Sequence, residues 1–207
     1  MMPKTRVEAF SDGVIAVAIT LLALNLPIPA AVHGRDLART LGHEWPAFAA
    51  FAVSFLTIGI VWVNHHALLR RLARVDHAVL FSNLLLLMGI CLVPFSTALL
   101  AEYLTASHGQ HLAAAIYGGS LLLMSCAFYA IQWHVLTRRP ELLREGVSAE
   151  TRQQVLKRNR FGLLPYALAT AAAAISGYLT FAISIAIAVY YAIPRTTSDV
   201  AEIEAGD

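Results

Sequence analysis

The chain has 207 residues, 58% of them hydrophobic and only 14% charged, with a net charge of +2 and a mean hydropathy of +0.64. Soluble domains carry roughly 25% charged and about 45–50% apolar residues. There is too little polar surface here to cover a water-soluble globule, and the composition points to a membrane protein; the apolar runs that follow make it an all-α one.

The first apolar run covers roughly 10–28 and is stopped by Pro27 and Pro29, while Arg6, Glu8 and Asp12 crowd its front. Because it starts behind charges and continues into a full span, it is expected to remain in the mature protein rather than act as a cleaved leader. Three further runs follow at about 45–69, 78–101 and 112–136. Each has the ~20 residues needed to cross a hydrocarbon core of about 30 Å. The last stretch, Phe161 to Ile193, is 33 residues long. That is too long for one crossing, unless a single helix tilts steeply, and Ser176-Gly177-Tyr178 is the natural place for a turn. Cys91 and Cys126 fall inside apolar runs, so no disulfide framework is expected.

Charge asymmetry decides between one and two final helices. Thirteen Lys and Arg lie in the N-terminal segment, the loop after the second run, the connection after the fourth and the tail, against only Arg35 and Arg39 on the other side. Basic residues are retained in the cytoplasm during insertion, so both termini are expected there, and the number of crossings must be even. The expected organisation is a transmembrane domain over 1–195 with six helices, at about 6–28, 45–69, 78–101, 112–136, 150–176 and 178–193. A short disordered acidic tail follows at 196–207. The polar stretch "SAETRQQVLKRNR" reads as a cytoplasmic extension of the fifth helix, with Ser148 as its N-cap and Glu150 in its first turn. A basic segment there would meet anionic lipid headgroups. No internal repeat is visible.

Enzyme motifs are scarce. The chain has no phosphate-cradling glycine loop, C-x-x-C, H-E-x-x-H or G-x-S-x-G. The adjacent histidines of "NHH" at 64–66 point about 100° apart on a helix and cannot both bind one metal from a single face. No metal, cofactor or nucleic acid is expected. The T-V-G-Y-G filter of pore-loop potassium channels is also missing. On the first helix, Gly13, Val17, Thr20, Leu21 and Leu24 share one face, while Asp12 and Glu8 lie on another. By periodicity alone, such a stripe packs on neighbours or lipid as readily as it lines a path.

The segment "RVEAFSDGVIAVAITLLAL" carries Arg6, Phe10, Ser11 and Asp12 in the pattern R-x-x-x-F-S-D, followed by G-V-x-A-x-A-I-T-L-L. With "WVNHH" at 62–66, "NLLLL" at 83–87 and "PFSTALLAEY" at 94–103, it resembles the transmembrane protein 175 family, which comprises the lysosomal potassium channel and its bacterial homologues. Recognisable motifs cover about the first 105 residues. The resemblance implies six helices per repeat and, for bacterial members with one repeat per chain, a homotetramer whose pore is lined by four first helices. It places Val17, Leu21 and Leu24 at the constricting apolar layers, and Thr20 near the pathway. Val17 stands where Ile is common in the family, and the shorter side chain would widen that ring. In that arrangement Asp12, which costs about 2.5–3.5 kcal/mol if left bare in mid-membrane, would be structural. Arg6, the His65/His66 pair and Asn83 are its candidate partners, and Phe10 and Ser11 would complete the junction.

The expected activity is a potassium-preferring channel, K+ being the permeant ion and other monovalent cations possible, in the lipid bilayer of a bacterial plasma membrane. An ion- or proton-coupled transporter is the main alternative, with Asp12 and the histidines protonated in turn, and a membrane enzyme or scaffold is a second. A transporter would show Gly- or Pro-interrupted helices in paired halves, and an enzyme would need a convergent polar cluster.

Overall fold

The structure, a computed structural model, describes residues 4–28, 37–144 and 148–193. The expected tail at 196–207 and Arg35 lie outside the described residues. The described chain is helical almost throughout: α1 (Lys4–Leu24), α2 (Leu37–His43), α3 (Trp45–Arg70), α4 (His77–Tyr103), α5 (Gln110–Trp133), α6 (Ala149–Phe161), α7 (Leu163–Ala172) and α8 (Gly177–Ala192). A π-helical turn, His134–Arg138, extends α5, and a short 3-10 turn follows at Pro140–Leu142. Among the described residues, four helices are long and apolar enough to cross a membrane: α1, α3, α4 and α5 with its π-helical extension.

The fifth expected helix takes a different form, whereas α8 falls within a residue of the expected 178–193. The stretch 150–176 is divided at Gly162, which separates the polar α6 from the apolar α7, and α7 ends at Ala172. A turn at 173–176 then leads into α8, whose preceding residue Ser176 is extended. At about 1.5 Å per residue, α7 and α8 are shorter than a hydrocarbon core is thick.

Helices inside a bilayer gain little from apolar burial against each other, so close packing and interhelical hydrogen bonds must hold them. Both are present. A Cβ on Gly89 of α4 would lie 3.2 Å from the Met124 Cα of α5, and one on Gly118 of α5 would lie 2.9 Å from the Thr170 Cα of α7. These two glycines let the backbones approach. Ser54 of α3 lies 2.7 Å from the Thr97 hydroxyl of α4 and 3.2 Å from the Tyr117 hydroxyl of α5, all of them buried. Ser96 and Ser120 join α4 to α5 at 2.8 Å, and Thr180 of α8 donates to the Ala169 carbonyl of α7 at 2.9 Å.

The end of the bundle that carries the basic loops is tied separately. Ala73 N–H donates to the Leu142 carbonyl at 2.8 Å, and Arg144 N–H to the Arg71 carbonyl at 2.9 Å. Asp76 caps α4 by accepting from Val79 N–H at 2.9 Å, and its other oxygen lies 2.9 Å from His134 Nε2 and 3.8 Å from an Arg139 nitrogen. Burial pushes this carboxyl up, but the hydrogen bonds from His134 and Val79, with the charges of His134 and Arg139, outweigh it. The Asp76 pKa lies below the ordinary value.

Candidate ion-pathway face and its signature junction

α1 has two unlike sides. Val7, Ser11, Ile15, Ala18 and Leu22, spaced three or four apart, are buried against α3 and α4. The opposite side carries Val17 at 57% exposure, Leu21 at 42% and Leu24 at 79%. Gly13 and Thr20 are exposed there too, and nothing lies within 4 Å of where a Gly13 Cβ would stand. Thr20 turns its hydroxyl back to donate to the Val17 carbonyl at 2.8 Å. The expected pathway residues therefore share one apolar face that the chain itself does not cover.

The buried side of α1 meets a polar network. Asn83 Nδ2 of α4 donates to Ser11 Oγ at 2.9 Å, and Asn83 Oδ1 lies 2.7 Å from His65 Nε2 of α3. With the amide oriented this way, Oδ1 must accept, so His65 carries its proton on Nε2. Ser11, Asn83 and His65 are all buried, and each supplies one polar group from a different helix. In a low-dielectric interior these bonds specify one register among the three helices. The Nδ1 atoms of His65 and His66 are buried with no hydrogen-bond partner among the described residues.

Asp12 has a partner other than those expected. Its carboxylate accepts from Trp62 Nε1 at 2.9 Å, and not from Arg6, the histidine pair or Asn83. Trp62 precedes His65 by one helical turn, so the neighbouring residues Ser11 and Asp12 engage successive turns of α3, Ser11 through Asn83 and Asp12 directly. Arg6 is exposed. Phe10 does not complete this junction. It is 55% exposed, because one step of about 100° carries it from Ser11's packed side toward the Val17 side. His66 lies beside Trp62, with ring centroids 6.1 Å apart. The signal for the Trp62 contact was present as the first residue of "WVNHH".

A second tie was not anticipated. Asn25, just past the end of α1, donates from Nδ2 to the Pro94 carbonyl of α4 at 3.1 Å. Pro94 lies inside α4 and removes one N–H from the helical ladder. No group of three or more His, Cys, Asp or Glu capable of holding a metal occurs among the described residues.

Comparison with known proteins places this arrangement. Residues 6–94 match the family model described as endosomal/lysosomal potassium channel TMEM175, a span that contains all but the first two residues of α1, the signature junction and the Pro94 tie. A potassium channel of Streptomyces collinus is 46% identical over 191 residues, covering 92% of each chain. One of Chamaesiphon minutus is 40% identical over 190 residues, covering 91% of this chain and 93% of that protein. The crystal structure of a lysosomal potassium-selective channel TMEM175 homolog from Chamaesiphon minutus superposes with a TM-score of 0.80 at 39% identity, covering 91% of this chain and 96% of that one. With likeness along nearly the whole length in both sequence and fold, and with Ser11 and Asp12 of the signature seated at the junction of α1, α3 and α4, the chain belongs to the TMEM175 family, a family of ion channels rather than enzymes, and is an integral multi-pass membrane protein.

Proposed function

We propose that four copies of this chain form a potassium-preferring cation channel, with α1 of each copy turned toward a common axis. The observation that carries the proposal is the bare face of Gly13, Val17, Thr20, Leu21 and Leu24, which lies opposite the side of α1 packed on α3 and α4. One helix cannot enclose a path, and closed rotational symmetry is the usual solution for identical chains. Val17, Leu21 and Leu24 would stack as apolar rings. Such a ring holds back ions because a cation must shed water there with no oxygen to replace it, and because narrow apolar pores empty of water. The relatives named as potassium channels favour this reading over a coupled transporter.

The same reading gives the chain six crossings. α7 with the turn that follows it, and α8, supply the fifth and sixth as short helices. An even number agrees with basic residues concentrated on one side, which assigns both termini to the cytoplasm of a bacterium. Asp12, Ser11, His65 and Asn83 are structural in this scheme, since they fix the angle at which the bare face of α1 meets the axis.

The test is planar-bilayer recording of purified protein under a potassium/sodium gradient. A cation current with a reversal potential displaced toward that of potassium is expected. Absence of current from a protein that native mass spectrometry shows to be tetrameric would overturn the channel reading, and a chain that is only monomeric or dimeric would overturn the tetrameric pore.

A further inference from the structure

α6 is mostly polar and yet held against the apolar bundle. Asn159 of α6 donates to Gln132 of α5 at 2.6 Å, and behind this contact lies a cavity of about 180 Å³. It is bounded by α3, α5, the π-helical turn and α6 to α8. α6 presents Thr151, Arg152, Val155 and Asn159 to it, the spacing of a single helical face. Arg71, just past the end of α3, lines it as well.

Three features of this cavity point to an anion. Two arginines line it, and no carboxylate does among the described residues. The Nε of Arg152 is buried and has no hydrogen-bond partner among the described residues. A buried guanidinium N–H without an acceptor is costly, since such groups are normally paired. The remaining lining divides into polar donors, including Asn64 and Tyr129, and an apolar floor that includes Met124 and Phe128. The volume far exceeds the ~10–15 Å³ that one water needs by this kind of measure. It has room for a tetrahedral oxyanion.

We propose that this cavity binds a phosphate group, with Arg152 and Arg71 as its charged ligands. Guanidinium forks match phosphate oxygens in geometry and charge. A phospholipid headgroup and a free phosphate ion share this chemistry. The headgroup has one further point in its favour: the cavity lies at the end of the bundle that carries the basic loops, where anionic lipids meet juxtamembrane arginines. The site differs from a diffuse basic surface because it is a partly open cavity formed by specific side chains. It does not depend on the channel reading.

The experiment uses the full chain in detergent, with native mass spectrometry scoring retention of phosphatidylglycerol against phosphatidylcholine. A parallel arm measures thermal stabilisation by inorganic phosphate. Wild-type protein should retain phosphatidylglycerol preferentially, and Arg152→Gln should lower its occupancy by about tenfold or more, the effect of losing a charge-assisted hydrogen bond. Arg160→Gln removes the same charge from an exposed position of α6 outside the cavity and should leave retention unchanged. Ala67→Phe fills the cavity while keeping both arginines, so it should also abolish retention. It decides the matter, together with Arg71→Gln, if Arg152→Gln fails to fold. Stabilisation by inorganic phosphate that Arg152→Gln removes, without lipid retention, would support the site and identify the free ion as its source. Equal retention of both lipids with no phosphate effect, or an Arg160→Gln loss as large as that of Arg152→Gln, would overturn the proposal.

Discussion

Leu22 and Leu24 are identical to any hydropathy scale, but they stand on opposite sides of α1. Leu22 is 1% exposed and Leu24 is 79% exposed. Truncating each to alanine should therefore separate packing from pathway. In water-soluble cores a buried Leu→Ala costs about 2.7–5.0 kcal/mol, made of a transfer term and a cavity term at about 24 cal/mol per Å³, so the spread due to the cavity is about 2 kcal/mol. In a bilayer the transfer term largely drops out, because a helix that separates from its neighbours leaves the side chain in hydrocarbon. Leu22→Ala should thus destabilise the subunit by about 1–2 kcal/mol. Leu24→Ala removes no comparable packing within the subunit and should cost no more than about 0.5 kcal/mol, as at surface positions, while changing current. Unfolding in mixed micelles followed by circular dichroism gives the first quantity, and native mass spectrometry keeps loss of assembly distinct from loss of fold. Equal destabilisation by the two substitutions would refute the assignment of sides. So would a change in permeation from Leu22→Ala without one from Leu24→Ala.

Four other outcomes are expected. Asn83→Ala leaves both Ser11 and His65 without their partner and should cost about 1–3 kcal/mol, since interhelical bonds in membranes are worth roughly 0.6 and at most about 1.7 kcal/mol each; the same micelle unfolding measures it. Trp62→Phe keeps a ring but removes the donor to Asp12, so it should lower stability more than Asp12→Asn, which retains a carbonyl acceptor; equal melting temperatures would contradict this. Leu24→Ser or Val17→Asn would place dipoles in the proposed apolar ring, four times over in the proposed tetramer, and should raise bilayer current and alter the potassium-to-sodium permeability ratio. The Asp76 carboxyl is depressed in the fold, so its contribution to stability is complete above its unfolded value of about 3.9 and is lost as pH falls through the lower folded value; Asp76→Asn should flatten the acid limb of stability against pH below about 4.

Much of the architecture was open to reading because membrane insertion is a coarse requirement. Four apolar runs of sufficient length stand out whatever their detailed packing, and the register of Arg6, Phe10, Ser11 and Asp12 carried the family. Finer contacts were harder to read. Periodicity reports which side of a helix a residue occupies, not which neighbour is turned toward that side. Charged and amide groups are the partners the sequence suggests for Asp12, whereas α3 presents an indole N–H one turn before His65. Phe10 and Ser11 belong to one signature, yet adjacent helical residues diverge by about 100°. The division of 150–176 at Gly162 marks a change from a polar to an apolar segment, which composition shows, but the conformation there depends on what packs around it. The cavity behind α6 arises from six elements and has no local signature at all.

The two ties on α1 have a mechanical consequence. Ser11 and Asp12 clamp one end to α3 and α4, and Asn25 clamps the other to the Pro94 carbonyl of α4. Between these anchors lie some 20 Å of helix at about 1.5 Å per residue, and Val17, Leu21 and Leu24 all fall within that beam. A rod fixed at one end can swing, whereas one fixed at both can only bow, twist about its own length or travel with its supports. Any widening at those three residues must therefore spring the middle of α1, turn it about its own length, or carry α3 and α4 along as one body.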